Sequence, residues 1–175
     1  MNLKRIALIA IGIFLISNVA FAQDYKTIDG KDGNEILVGQ LNMKQLANDS
    51  SNSWFYKGIN SYKPDKEKVR YLSYFRDSIS VVVVFGTWDQ ESRKDIPAFY
   101  KTMLSSSYPV NTIKLYGVDK SLKALNDEIA KYNVTKVPSI ILFDKRNGNE
   151  IGRIEEIPLR TVEYNLTKIV DNYYF

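Results

Sequence analysis

The segment from Trp88 to Ser92 carries the polar side chains whose types and spacing are best suited to chemistry. Asp89 and Glu91 supply carboxylates and Ser92 supplies a hydroxyl, directly after a run of apolar residues. The chain contains no histidine and no cysteine. This composition excludes thiolate nucleophiles, disulfides, Cys/His zinc sites and Ser-His-Asp triads. Any chemistry must therefore use Asp, Glu, Lys, Tyr, Ser or Thr.

Asp89 has two interpretations that the sequence leaves open. Aspartate is preferred at the residue before a helix, where its side chain accepts a hydrogen bond from an amide of the first turn. In the other interpretation, Asp89, Glu91 and Asp95 form an acidic patch for a metal ion or a basic ligand. Lys94 lies among these acids, and a hard cation needs more converging oxygens than this spacing guarantees. We therefore predict no metal site and no cofactor.

The elements around this segment indicate an α/β fold. The β-branched run from Ile79 to Phe85 predicts a strand that is buried on both faces, and a helix is expected to follow from about Asp89 to Leu104. Asn147-Gly148 predicts a tight turn between two strands. The other predicted elements are helices from Pro64 to about Arg76, from Ser121 to Tyr132 and from about Leu159 to Tyr173, and strands at Thr112 to Val118, Ser139 to Phe143 and Glu150 to Ile154. Their order predicts a central mixed sheet flanked by helices on both faces.

The first 22 residues have the three parts of a secretory signal peptide. They are the basic pair Lys4-Arg5, an apolar stretch from Ile6 to Ile16, and the small residues Ala20 and Ala22. The apolar stretch is shorter than the roughly 20 residues that span a bilayer. We therefore predict cleavage after Ala22, no retained membrane anchor, and a periplasmic or secreted protein.

The rest of the chain divides into a predicted extension, residues 23–63, and a predicted domain, residues 64–175. The extension is polar from Gln23 to Ser53, and we interpret this part as irregular, with a short strand at Glu35 to Val38 and a short helix near Leu41 to Ala47. Without Lys4 and Arg5 the chain has 22 basic and 20 acidic residues. This even balance argues against a nucleic-acid partner.

Four features resemble the thioredoxin-like superfamily in order and spacing. The predicted strand runs into Gly86-Thr87-Trp88, as the central thioredoxin strand runs into the tryptophan before Cys-x-x-Cys. Pro97 lies five residues after Ser92, where thioredoxins have a proline that kinks the helix. Val137-Pro138 precedes a strand, where the family has a cis-proline beside its active site. The turn at Asn147-Gly148, with the strand after it, resembles the family's final hairpin.

The resemblance implies a thioredoxin-like fold with an altered site. The segment looks most like exported bacterial members with the motif Trp-Cys-x-Asp-Ser, but Asp89 stands at the position of the first cysteine. Thiol-disulfide exchange is therefore not expected. Thioredoxins pair with an extended substrate chain beside the cis-proline. The implied binding residues for a protein or extended peptide are Trp88, Asp89, Ser92, Val137 and Pro138.

Two other functional classes stay open at the level of sequence. One is an enzyme with non-thiol chemistry that uses Asp89 or Glu91. The other is a protein that keeps the fold and binds through another surface, for instance the segment from Gln23 to Ser53. A fold by itself does not distinguish among these classes.

Overall fold

The structure is a computed structural model that describes residues 24–30, 33, 35–42, 45–46, 52–155 and 160–175. The predicted signal peptide lies outside these residues. In this described part of the chain, no helix is both long enough and apolar enough to cross a membrane.

The described residues form an α/β fold with one six-stranded mixed sheet in the order β1-β2-β4-β3-β5-β6. Central strand β3 pairs in parallel with β4 and antiparallel with β5, and the β1-β2 and β5-β6 pairs are antiparallel. The strands are β1 Tyr25–Asp29, β2 Glu35–Leu41, β3 Ile79–Phe85, β4 Lys114–Gly117, β5 Ser139–Asp144 and β6 Glu150–Ile154. The α-helices are α1 Ser53–Ser61, α2 Lys66–Ser73, α3 Gln90–Ser105 and α4 Val162–Tyr174.

Strand β3 separates two hydrophobic clusters because successive side chains of a strand point to opposite faces. Val81 and Val83 pack into the larger cluster, together with buried residues of all four α-helices. Val82 and Val84 pack into the smaller cluster on the other face, which includes Tyr132. All four described α-helices therefore contribute to the larger cluster, and among the described residues the helices predicted on the other face are only short 3₁₀ turns.

The segment from Ser121 to Tyr132, predicted as an α-helix, covers the smaller cluster with two short 3₁₀ turns, Leu125–Asp127 and Ala130–Tyr132. The Asp119 carboxylate accepts hydrogen bonds from the N–H groups of Ser121 and Lys123, a local turn that competes with helix. Leu122, Asn126 and Asp127 have positive φ angles between 52° and 59°. The segment has the apolar spacing of a helix, but the hydrogen bonds of the Asp119 turn determine its backbone conformation.

The short strand predicted at Glu35 to Val38 is confirmed as part of β2, whereas the prediction that residues 25–29 are irregular is wrong, because they form β1. Strand β2 pairs antiparallel with β4, and β1 pairs along the outer edge of β2. Leu37 and Leu41 of β2, with Phe55 of α1, lie in the larger core cluster. These elements thus share a sheet and a core with the segment that begins at Pro64. β1 was missed because its side chains are polar and mostly exposed, as on an edge strand.

Several other predictions agree closely with the structure. Strands β3 and β6 have the predicted bounds, β5 is one residue longer, and α2 begins just after Pro64 and Asp65, as expected. The predicted start of α4 at Leu159 lies outside the described residues, and so do residues 43, 44 and 47 of the helix predicted near Leu41 to Ala47; Leu41 belongs to β2, and Gln45 and Leu46 are helical. Pro97 lies inside α3, and a Cβ atom at Gly58 would be 2.5 Å from the Cβ of Pro97. Helices α1 and α3 therefore approach each other closely at this point.

Candidate functional site

The candidate site lies where β3 ends and α3 begins. Val84 pairs with Ser139 in the antiparallel β3-β5 ladder, so Pro138, the next residue towards the N-terminus, lies beside the end of β3. The Val137-Pro138 peptide bond is cis, as the resemblance implied. The topology therefore brings Val137 and Pro138 to the end of β3, from which Trp88 and α3 emerge. The two segments are distant in sequence.

Asp89 caps helix α3. Its Oδ2 atom accepts hydrogen bonds from the backbone N–H of Ser92 at 2.7 Å and from the Ser92 hydroxyl at 2.8 Å. Asp89 has extended backbone angles, and α3 begins at the next residue. A carboxylate at this position satisfies one of the free amides of the first turn and interacts favourably with the helix dipole. The geometry favours the capping interpretation over the acidic-patch interpretation.

Ser92 is fully buried beneath this cap. Its Oγ accepts a hydrogen bond from the backbone N–H of Gly86 at 3.2 Å, while its hydroxyl donates to Asp89. Both functions of the hydroxyl are thus used within the chain. Ser92 connects the end of β3 to the start of α3, and it does not face a solvent-filled cleft.

Trp88 is half-buried and closes the end of the sheet over Gly86. Its indole N–H donates to the carbonyl oxygen of Val118 at 2.9 Å. A Cβ atom at Gly86 would lie 2.7 Å from two atoms of the indole ring, so glycine is required for the ring to lie this close. The ring is held in place, and its exposed part is available to a ligand.

The loop between Trp88 and β3 is also tied to the N-terminal strands. The fully buried Thr87 hydroxyl oxygen accepts a hydrogen bond from the backbone N–H of Leu37 at 3.1 Å. The side chain of Arg93 donates from Nε to the carbonyl oxygen of Thr87 at 2.5 Å. Sequence reasoning missed the link between Leu37 and Thr87 because partners 50 residues apart leave no local signal.

The backbone of Val137 differs from the rest of the site in its hydrogen bonding. Among the described residues, no hydrogen bond is made by its N–H or C=O group. The neighbouring carbonyl of Lys136 accepts from the Ser139 hydroxyl at 2.7 Å, and the Val137 side chain packs against the smaller core cluster. Val137 thus has one donor and one acceptor without a partner among the described residues, on a loop into β5 that packing holds in place.

The three acidic residues Asp89, Glu91 and Asp95 do not converge. Lys94 Nζ lies 3.8 Å from Glu91 Oε2 and 4.0 Å from Asp95 Oδ1, and Asp89 is engaged with Ser92. Asp95 is only 4% exposed. Burial raises the pKa of its carboxyl to about 6, Lys94 lowers it, and Glu91 and Asp89 raise it further. Within the described ranges, no group of three His, Cys, Asp or Glu side chains is placed to hold a metal ion.

Comparisons with protein-family models, curated proteins and solved structures find no significant match to this chain. The arrangement of the site residues offers a fixed aromatic ring at Trp88, a structural cap at Asp89 and free backbone groups at Val137.

Proposed function

We propose that the chain is a redox-inactive, thioredoxin-like binding module that acts outside the cytoplasm. The fold proposal is supported by the parallel β3-α3-β4 unit, the antiparallel β5-β6 hairpin followed by α4, and the cis-proline before β5. The proposed location is supported by the signal-like residues from Lys4 to Ala22. Thiol exchange is excluded by composition because it requires a thiolate, and the chain has no cysteine.

The proposed partner is an extended segment of another protein. The observation that carries this proposal is the free N–H and C=O pair of Val137, just before the start of β5. An extended chain that lies alongside can accept from the N–H and donate to the C=O, so that main-chain hydrogen bonds hold the bound segment. Such main-chain bonds provide affinity, and the exposed part of the Trp88 ring would contact the side chains of the segment.

In this proposal, Asp89 and Ser92 contribute to binding indirectly. Their hydrogen bonds fix the start of α3 and the end of β3, so they shape the surface and leave direct recognition to Trp88 and Val137. Enzyme chemistry at Asp89 or Glu91 gains no support from this geometry. The Asp89 carboxylate faces its own helix, and the Glu91 carboxylate lies near Lys94.

Site-specific photo-crosslinking tests the proposal. A benzophenone amino acid is placed at Thr135, an exposed residue two positions before Val137, and at Thr27, an exposed residue of edge strand β1. Both proteins are expressed and irradiated in the native host. We expect a distinct crosslinked species from Thr135 and none from the matched position Thr27.

Two results contradict this proposal. Crosslinks from Thr27 alone would favour binding through the N-terminal strands. No protein crosslink from Thr135, in cells where the variant is folded and abundant, would refute binding beside Val137.

A further inference from the structure

An apolar cavity of about 330 Å³ lies between α1, α3 and the segment that leads into β4. Its inner wall is made by Phe55 of α1, Ile96 and Phe99 of α3, and Leu115 of β4, all of them buried core residues. Val110 and Ile113 complete the apolar lining. None of the residues of the candidate site lines this cavity, so it is a separate feature of the molecule.

The polar groups that the described residues contribute to the cavity are few and uncharged. They belong to Asn42, Tyr100 and Asn111. Burial raises the pKa of the Tyr100 phenol, which therefore stays neutral and able to donate across the physiological range. No other described residue hydrogen-bonds the Tyr100 hydroxyl, while the Tyr100 ring is fixed by an edge contact with Phe55, 5.9 Å between centroids.

The lining restricts the kind of ligand. A charged group would lose its hydration on entry and would meet no opposite charge among the described residues that line the cavity. Ligand sites in proteins are commonly concave, mostly apolar and about 300–1,000 Å³ in volume, with a few polar groups that fix orientation. This cavity is at the small end of that range.

We propose that this cavity is a second binding site, for a small, neutral and mainly apolar molecule that pairs one hydrogen-bonding group with the Tyr100 hydroxyl. The proposal is independent of the binding surface at Val137. It assigns the region between α1 and α3 to a small molecule, since a volume of about 330 Å³ accommodates a compact ligand and not an extended chain.

Two dyes of the same framework test the charge requirement. N-phenyl-1-naphthylamine is neutral, mainly apolar and carries one amine, while 8-anilino-1-naphthalenesulfonate adds a permanent negative charge to the same rings. Both become fluorescent in apolar surroundings. We expect the full chain to bind the neutral dye saturably at one site, with at least tenfold higher affinity than the sulfonate. Equal or tighter binding of the sulfonate would overturn the proposal.

Matched variants place the dye in the cavity. Val110→Phe puts a larger side chain into the lining, whereas Val69→Phe makes the same change on helix α2, outside the cavity. We expect Val110→Phe to weaken binding of the neutral dye at least tenfold and Val69→Phe to change it less than twofold. All of these proteins contain the same apolar stretch from Ile6 to Ile16, so any dye that binds this stretch contributes equally to each measurement. Unchanged affinity in a folded Val110→Phe protein would refute the cavity as the site.

Tyr100→Phe provides a second test that does not depend on filling the cavity. It keeps the ring that contacts Phe55 and removes only the hydroxyl. Circular dichroism and the melting temperature verify that each variant is folded. We expect the neutral dye to bind about threefold to tenfold more weakly, because a net hydrogen bond is commonly worth about 0.5–1.5 kcal/mol. Unchanged affinity would refute the proposed role of the Tyr100 hydroxyl.

Discussion

The Oδ2 atom of Asp89 lies 2.8 Å from the Oγ atom of Ser92 and 2.7 Å from the Ser92 backbone nitrogen. Two side chains three positions apart thus face each other at the start of α3, as the resemblance to Cys-x-x-Cys implied. The same pair also acts as a helix cap with a buried serine. The capping role and the proposed correspondence to a cysteine pair each lead to a separate prediction.

The first prediction concerns the capping role of Asp89. Asp89→Ala should lower the free energy of unfolding by about 1–2 kcal/mol, because the Ser92 amide loses its acceptor and the buried Ser92 hydroxyl loses a partner. Asp89→Ser retains a capping oxygen and should lose no more than about 0.5 kcal/mol. Urea denaturation measures both values. Equal stability of the wild type and the Asp89→Ala protein would contradict the capping role.

The second prediction concerns the correspondence of Asp89 and Ser92 to a cysteine pair. The double variant Asp89→Cys with Ser92→Cys should form an intramolecular disulfide under mild oxidation, since the native side-chain oxygens are already in contact. It should also show some dithiol-disulfide exchange, because the start of a helix favours a thiolate. Mass spectrometry after alkylation and an insulin-reduction assay provide the measurements.

The single variant Asp89→Cys is the control for this experiment. It should react as one thiol but give no intramolecular disulfide and no turnover. A folded double variant that stays a free dithiol under mild oxidation would show that the alignment of these two positions with an active-site pair is wrong.

The third prediction is a pH dependence that arises from Asp95. Its pKa is raised from 3.8 to about 6 in the folded protein, mainly by burial, so the folded state binds more protons than the unfolded state between these values. The stability that this group contributes is therefore fully present below about pH 4 and is lost as the pH rises through 6. The Asp95→Asn protein lacks this carboxyl, so this loss of stability should be absent. Above pH 6 its free energy of unfolding should exceed that of the wild type by about 1–3 kcal/mol.

Urea denaturation between pH 4 and pH 8 measures this effect. Asp77→Asn is the matched control, because the Asp77 side chain is 84% exposed and should change the pH profile little. An Asp95→Asn protein whose stability follows the same pH profile as the wild type would refute the assignment to Asp95.

The fourth prediction concerns the contact between α1 and α3. Replacing glycine by alanine at an exposed helix position stabilises a protein by up to about 1 kcal/mol. At Gly58, however, the new Cβ would lie 2.5 Å from the Cβ of Pro97, whose ring cannot rotate away. Gly58→Ala should therefore destabilise the protein by about 1–3 kcal/mol, as other overpacked contacts do.

Thermal unfolding compares Gly58→Ala with Asn60→Ala, a change at an exposed position of the same helix. The control should leave the melting temperature nearly unchanged. An increased melting temperature in Gly58→Ala would show that α1 does not pack against Pro97 as described.

The sequence by itself determined those elements that depend on a few neighbouring residues. The β-branched run of β3 sets that strand because such side chains fit a pleated, buried surface. Asp65 and Asp89 mark the starts of α2 and α3 because a carboxylate before a helix bonds to free amides. The absence of cysteine by itself excluded thiol exchange.

Tertiary structure alone decided the features that depend on distant partners. β1 and β2 join the sheet through pairing with β4, and a polar edge strand carries little hydrophobic pattern to reveal such pairing. The segment from Ser121 to Tyr132 has helical spacing, yet the Asp119 turn and the packing over the smaller cluster determine its backbone. The burial of Asp95, the free backbone of Val137 and the cavity beside Tyr100 each arise where separate elements meet. Their positions are set by three-dimensional packing and leave no pattern in neighbouring residues.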